Sequence, residues 1–272
     1  MKFLFAFLCF PLFVLSQDYP QDYFQSPLDI PIDLSGSFGE LRGNHFHSGL
    51  DMKTKGVEGL PVYASADGYI SRIKISTFGY GKAIYITHPN GYTSVYGHLQ
   101  KANGAIQEYI KKRHYQEKNY EIEMFLYPSE LPVKKGDIIA FSGNSGGSGG
   151  PHLHFEFRDT KSEEIINPMH FGMKKIISDE RKPIIQGVVA YPIDSTTVNT
   201  SQKPINISFT KQSDGSYLSV KVKTNGSVAF GINAYDFCTN GYNKNGLYKV
   251  KAYLNGVLQY QYGFDTFTFD ES

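Results

Sequence analysis

The stretch Pro151-His152-Leu153-His154-Phe155-Glu156-Phe157 decides how this chain folds. Side chains on a strand alternate between faces, so His152, His154 and Glu156 point one way and Leu153, Phe155 and Phe157 the other. The apolar set supplies a core anchor. The two imidazoles stand side by side on the opposite face, their Cα atoms roughly 6–7 Å apart by strand rise. That spacing lets one bind a metal ion while its neighbour reaches a water on the same ion. Spacing alone leaves open which histidine does which.

The flanking sequence has the same texture. Val62-Tyr63-Ala64 and Tyr69-Ile70-Ser71-Arg72-Ile73 are strand-like, separated by Ala66-Asp67-Gly68. Ala83 to Thr87 and Tyr92 to Tyr96 are joined by His88-Pro89-Asn90-Gly91, and Asn-Gly between alternating runs is a strong hairpin signal. Further strands are expected at Ile138 to Ser142 and His152 to Arg158. The expectation is a mainly β chain, with an antiparallel-sheet domain over residues 36–175. An insertion at about 104–130 interrupts it. There Ile106, Tyr109 and Ile110 fall at helical spacing, and Tyr120, Ile122 and Met124 then alternate with glutamates as a half-exposed strand would. Residues 17–35 read as an extended lead-in. Over 180–272 the runs Leu218, Val220, Val222 and Tyr248, Val250, Ala252 alternate with polar residues between Asn/Gly turns, which predicts a β-sandwich-like domain. Phe267 and Phe269 alternate with Thr266 and Thr268 without an evident closing element. The second domain is therefore expected to be incomplete, or the sequence a fragment.

The bulk numbers narrow the partners. With 27 basic and 26 acidic residues the formal net charge is +1, too small a field to imply nucleic acid. Twenty Tyr, 20 Phe and 27 Gly favour short strands and many turns. Phe3 to Leu15 is an apolar run that suits the roughly 7–15 residues of a signal-peptide core and falls short of the roughly 20 of a membrane span. Residues 1–16 are thus read as a signal peptide, with Gln17 as the new N-terminus. The mature chain is expected to be exported, periplasmic or extracellular, with no integral membrane segment. Cys9 leaves with the signal, so Cys238 has no partner for an internal disulfide.

Two more clusters join the first. In His45-Phe46-His47-Ser48-Gly49-Leu50-Asp51, an extended backbone would hold the Cα atoms of His47 and Asp51 about 13 Å apart, too far for one ion. Ser48-Gly49 supplies a bend, because glycine tolerates conformations closed to other residues. His45 competes with His47, and the compact spacing through Gly49 favours His47. In Tyr96-Gly97-His98-Leu99, Gly97 would let the backbone turn and present His98 at the end of the sheet. Two histidines and one carboxylate make an open, N/O-ligated zinc site, the catalytic kind. Zinc there activates water for attack, a further imidazole can act as general base, and another can donate to an oxyanion. That inventory matches amide hydrolysis.

The set His47-x-Gly49-x-Asp51, Tyr96-x-His98-Leu99 and Gly150-Pro151-His152-Leu153-His154-Phe155-Glu156 resembles the lysostaphin/LytM-type (M23) peptidases. Gly59 to Gly68 and Val133 to Asp137 resemble that family's sheet segments, and the likeness runs from about Gly36 to Asn167-Pro168. The resemblance implies one zinc ion held by His47, Asp51 and His154. It implies catalytic histidines at His98 and His152, and peptidoglycan cross-bridge peptides as substrate. The insertion departs from the compact family pattern, and an element there could wall or cover the groove.

Competing readings are weaker. His88, His114 and His170 sit in a turn, on the expected helix and near the domain end, and read as structural. Glu156 faces the metal side but ranks as a packing or supporting residue, since the histidines already fill the roles. Gly143 to Gly150 lacks the Lys-Ser/Thr ending of a phosphate loop and precedes a strand, so a loop beside the site able to take a substrate backbone is expected. A catalytically inactive wall-binding or hydrolase-regulating module is the alternative function. The sandwich acting as the main, adhesive unit is a third.

Overall fold

The computed structural model describes residues 18–177, 179–239 and 241–271, so the expected signal peptide lies outside the described residues. A ten-stranded antiparallel sheet organises the first part of the chain. Its main strands are β1 (Leu34–Gly36), β2 (Leu50–Lys53), β3 (Gly68–Ile75), β4 (Lys82–Thr87), β5 (Tyr92–Gly97), β6 (Ile122–Phe125) and β7 (His152–Asp159). They lie in the order β1-β2-β7-β5-β4-β3-β6. Strand β7 is central, paired on one side with β2 and on the other with β5. A second, three-stranded sheet of Pro61–Tyr63, Ile138–Phe141 and Lys101–Ala102 packs into the same core.

The alternation read in β7 is real, yet both of its faces are buried. Leu153, Phe155 and Phe157 enter the apolar core with no measurable exposure, while His154, Glu156 and Arg158 are buried on the opposite, polar side. The lead-in is not a loose tether. Phe24, Leu28 and Ile32 are buried in the core, and the Phe24 ring lies 4.4 Å from that of Phe157.

The insertion forms helix α1 (Gly104–Glu117) and the edge strand β6, which pairs with β3. Ile106 and Ile110 are the helix's buried residues, and Lys118 ends it in the left-handed region. The helix closes a cavity with Ile73 and Ile75 of β3 and Ile84 of β4. No residue of 104–130 lines the cavity over His47, Asp51 and His154.

Beyond residue 180 the strands are thinly covered. Ile184–Pro192 pairs with Ile205–Asn206 and Val228–Tyr235, and three two-stranded sheets, two of them hairpins, accompany them among the described residues. A sandwich buries the inner faces of two sheets. Here Ala190, Val198 and Ile207 form a small buried cluster, whereas Leu218 and Val220 of the expected strand are 65% and 54% exposed. The chain then returns to the first sheet, where Thr266–Phe267 pairs with Ile165–Ile166.

His88 bears out its structural reading. It is 3% exposed, with Nδ1 2.8 Å from the Asp67 carbonyl and Nε2 2.8 Å from Ser94 Oγ. The carbonyl accepts from Nδ1–H, which leaves Nε2 as the acceptor. Burial lowers the imidazole's pKa to about 4, against the partial support of the Asp67 carbonyl. A histidine depressed in the fold stabilises it fully above the unfolded value of about 6.5 and loses that contribution as pH falls to about 4. We expect about 3 kcal/mol of pH-dependent stability from this residue over that window. Urea denaturation of the wild type and His88→Asn at pH 7 and pH 4 checks it: the difference between their pH slopes isolates His88, and equal slopes refute the assignment.

Candidate metal centre

The pairing of β2 with β7 sets Asp51 directly opposite His154, and on the other side β5 sets Gly97 opposite the same histidine. His47 approaches from the segment before β2. Its backbone N–H donates to the Glu40 carbonyl and its own carbonyl accepts from Gly39, both at 2.8 Å. Three atoms converge: His47 Nε2 lies 3.0 Å from Asp51 Oδ1 and 3.1 Å from His154 Nδ1, and His154 Nδ1 lies 2.9 Å from Asp51 Oδ1. His47, Asp51 and His154 are all buried and form the group among the described residues whose atoms are spaced to hold a metal ion.

The hydrogen bonds fix what those atoms offer. His47 Nδ1–H donates to the Ser37 carbonyl at 2.8 Å, so Nε2 faces inward with its lone pair. His154 is turned the other way, with Nε2–H donating to Glu156 Oε1 at 2.8 Å and Nδ1 inward. Two nitrogen lone pairs and a carboxylate oxygen thus point at one spot, an arrangement that repels itself unless a cation or a proton lies between. A tetrahedral zinc with bonds of about 2.0–2.1 Å spaces its ligands about 3.3 Å apart, close to what is found. The residues fit the ion.

His98 and His152 flank this set. Their rings are 4.6 Å apart, and the His98 ring is 5.9 Å from that of His154. His98 Nδ1–H donates to the Ser145 carbonyl and His152 Nδ1–H to the Gly150 carbonyl, each at 2.8 Å. Each therefore carries its Nε2 lone pair away from the loop that holds it. His152 Nε2 comes within 3.4 Å of Asp51 Oδ1. Carbonyls of the Gly143 to Gly150 loop thus fix the tautomers of both histidines. His45, the competing histidine, is exposed at the mouth of the cavity, bonded to its neighbour Asn44, and outside the three-atom group.

The electrostatics follow from burial and these contacts. Burial, with His154 adding repulsion, pushes His98 down to about 4, so it is a neutral imidazole near pH 7. Burial also works against charge on His154, but its bonds to Asp51 and Glu156 outweigh that and hold it up at about 9. Asp51 is held well below the usual carboxylate range; burial opposes this, and the close approach of His152, His154 and His47 overcomes it.

Two backbone expectations change. A bend does occur at Gly49, but glycine is needed there for clearance: an added Cβ would lie 2.4 Å from the Phe155 carbonyl oxygen and 2.9 Å from Glu156 Cγ. Gly97 remains within β5, and the turn falls on His98 itself, at φ 56°. A non-glycine residue in that region is strained, and such strain concentrates at functional sites.

Several residues around the site went unread in the sequence. Tyr80 stacks on the His154 ring at 4.9 Å, and its hydroxyl bonds Ser48 Oγ at 2.8 Å and also Glu156. Ser48 Oγ–H donates to Glu156 at 2.6 Å. Arg158 grips the other Glu156 oxygen at 2.6 and 2.8 Å, and Arg42 donates to Asp51 Oδ2 at 3.0 Å. Strand phase could have found Arg158, two residues on from Glu156 on the same face. Tyr80 and Arg42 carry no local signal.

Among solved structures, the catalytic domain of lysostaphin from Staphylococcus simulans aligns at 26% identity and a TM-score of 0.35, covering 57% of this chain and 92% of that one. A zinc-containing peptidase from Vibrio cholerae aligns at 25% identity and 0.40, covering 55% and 40%. Curated relatives include an uncharacterized metalloprotease of Haemophilus influenzae, 34% identical over 123 residues, which are 45% of this chain and 20% of that protein. The DD-carboxypeptidase/endopeptidase Mpg of Neisseria meningitidis serogroup B is 36% identical over 127 residues, 47% of this chain and 23% of the relative. The peptidoglycan DD-endopeptidase ShyC of Vibrio cholerae is 28% identical over 156 residues, 54% and 28%. The chain thus spans between a fifth and three tenths of the length of these curated relatives. The family model of Peptidase family M23 matches residues 45–115, which include His47, Asp51 and His98. The match, the relatives and the histidine–aspartate cluster together make this stretch of the chain similar to peptidase family M23.

Proposed function

We propose that this chain is an exported zinc metalloendopeptidase that hydrolyses peptide cross-bridges of peptidoglycan, with His47, Asp51 and His154 as the zinc ligands and His98 and His152 as the catalytic histidines. The observation that carries it is the convergence of three metal-donor atoms at 2.9–3.1 Å, flanked by two imidazoles whose Nδ1 atoms are both pinned to backbone carbonyls. Zinc held by His47, Asp51 and His154 would supply Lewis-acid polarisation of a peptide carbonyl and activation of water. His98 and His152 present basic Nε2 atoms beside it. One would take the proton from the attacking water and pass that same proton to the leaving amine as the peptide bond breaks, while the other orients the water by accepting its second proton in a hydrogen bond. A cavity of about 530 Å³ over the cluster, lined by Phe46, Tyr80 and the Gly147 to Gly149 segment, gives an extended peptide room to lie.

The relatives named for peptidoglycan cleavage support the substrate class. Export rests on the apolar N-terminal run; among the described residues no helix is long and apolar enough to cross a membrane. Purified protein is expected to hold one zinc per chain and to release peptides from purified peptidoglycan. Chelation should abolish release and added zinc restore it, whereas thiol reagents should leave it unchanged, since Cys238 is 4% exposed and outside the site. Zinc at one per chain with no peptide released would replace this reading by the inactive wall-binding module.

A further inference from the structure

The return of the chain to the first sheet delivers a side chain to the site. Thr266–Phe267 is tied to Ile165–Ile166 by strand pairing, and the Asn167 amide side chain donates to the Phe264 carbonyl at 3.0 Å. The Phe267 ring is buried against Phe38 at 4.9 Å, and Phe264 packs on Phe46 at 4.7 Å. The segment is therefore fixed before it reaches Phe269. That ring lies 4.7 Å from the Arg158 guanidinium, which is also 5.4 Å from the Tyr85 ring. Phe269 nonetheless keeps 49% of its surface exposed. It lines the cavity of about 530 Å³ over His47, Asp51 and His154, and also an adjoining cavity of about 730 Å³ beside Arg72 and Tyr85. Gly79, Tyr80 and Phe269 are common to both, so the ring stands where one cavity passes into the other.

We infer that Phe269 is a specificity-determining residue: its exposed face forms one wall of the groove and packs against the substrate peptide on the side that runs from the metal cluster toward Arg72. This rests on the peptidase reading and adds to it that selection among peptides depends on a segment far outside the matched residues 45–115. A rigid aromatic wall suits an extended peptide, giving contact area at low entropic cost and leaving the backbone amides free to bond elsewhere. A short stem peptide need not reach the ring. A cross-linked pair of stems, which must extend to both sides of the cleaved bond, does.

The test uses the full chain and two probes from purified peptidoglycan, a cross-linked muropeptide dimer and its un-cross-linked monomer. For Phe269→Ala we expect KM for the dimer to rise about tenfold, with kcat and zinc content retained and monomer binding unchanged. Phe269→Leu, which still covers Arg158, should recover part of the loss. Binding of the dimer to metal-free protein, followed by calorimetry, should weaken by a similar factor. Unchanged KM and unchanged dimer binding would overturn the inference. So would a parallel fall of kcat, zinc content and melting temperature, which would show that the ring only covers Arg158. If wild-type protein with full zinc cleaves nothing, the peptidase reading fails by itself; dimer binding that weakens in Phe269→Ala would still uphold the wall, and no binding by either protein would overturn it.

Discussion

His154→Ala protein is expected to come off the column without zinc, and His152→Ala protein to keep one zinc per chain while cleaving no peptide. The two residues are neighbours on one strand face, so composition does not separate them; their hydrogen bonds do. His154 aims Nδ1 at the point shared by His47 and Asp51 and is 2% exposed, with Glu156 behind it. Removing it leaves two donors, too few for a stable zinc site. His152 has its Nδ1 committed to the Gly150 carbonyl and stands beside the three-atom group without belonging to it. Its loss should cost general acid–base catalysis, about 10²–10⁴-fold in kcat, with little change in metal content. Atomic absorption on both proteins with peptide release measured in parallel decides the matter. Equal zinc loss in the two would mean that the pair is wrongly assigned.

Glu156→Gln is the substitution expected to cost most stability. Glu156 is fully buried, Arg158 is 3% exposed, and the guanidinium holds Glu156 Oε2 through two nitrogens. Burial opposes ionisation of Glu156, yet Arg158 and His154 keep it far below the usual carboxylate range. Removing the Glu156 charge leaves buried Arg158 with only the largely exposed Glu163, 3.1 Å away, a loss of up to about 3 kcal/mol. For a chain of this size that is a fall of roughly 10 °C in melting temperature. The same carboxylate orients His154, so zinc affinity should drop about 10–100-fold. Scanning calorimetry and competition with a chromogenic chelator measure the two effects. Adding Arg158→Met should restore most of the stability and none of the zinc affinity, because it removes the poorly compensated cation without returning the negative charge behind His154. A melting point unmoved in Glu156→Gln would refute the buried-pair account.

What could be read from the sequence was what depends on local periodicity. Alternation in 152–158 gave the two faces of β7, Asn90-Gly91 gave the β4–β5 hairpin, and the helical spacing of Ile106 and Ile110 gave α1. Pairing between distant strands was not legible. That Asp51 faces His154 is a matter of register between segments about 100 residues apart, and nothing within either segment states it. Tyr80 and Arg42 reach the site by the same non-local route. The glycine arguments named the right positions for the wrong reason or the wrong residue. Gly49 makes room for β7, and the left-handed backbone belongs to His98. The insertion was legible as helix and strand, but its partner β3 was not.

The pairing of Ile165–Ile166 with Thr266–Phe267 also bears on the order in which the molecule assembles. The segments carrying His47, Asp51, His98 and His154 can associate once residue 159 has been laid down, whereas this ladder waits for Thr266–Phe267, about 100 residues later in the chain. A maturing chain therefore passes through a stage at which the metal-holding atoms are gathered but the groove beside them still lacks its Phe269 wall. The centre is built before it can be selective.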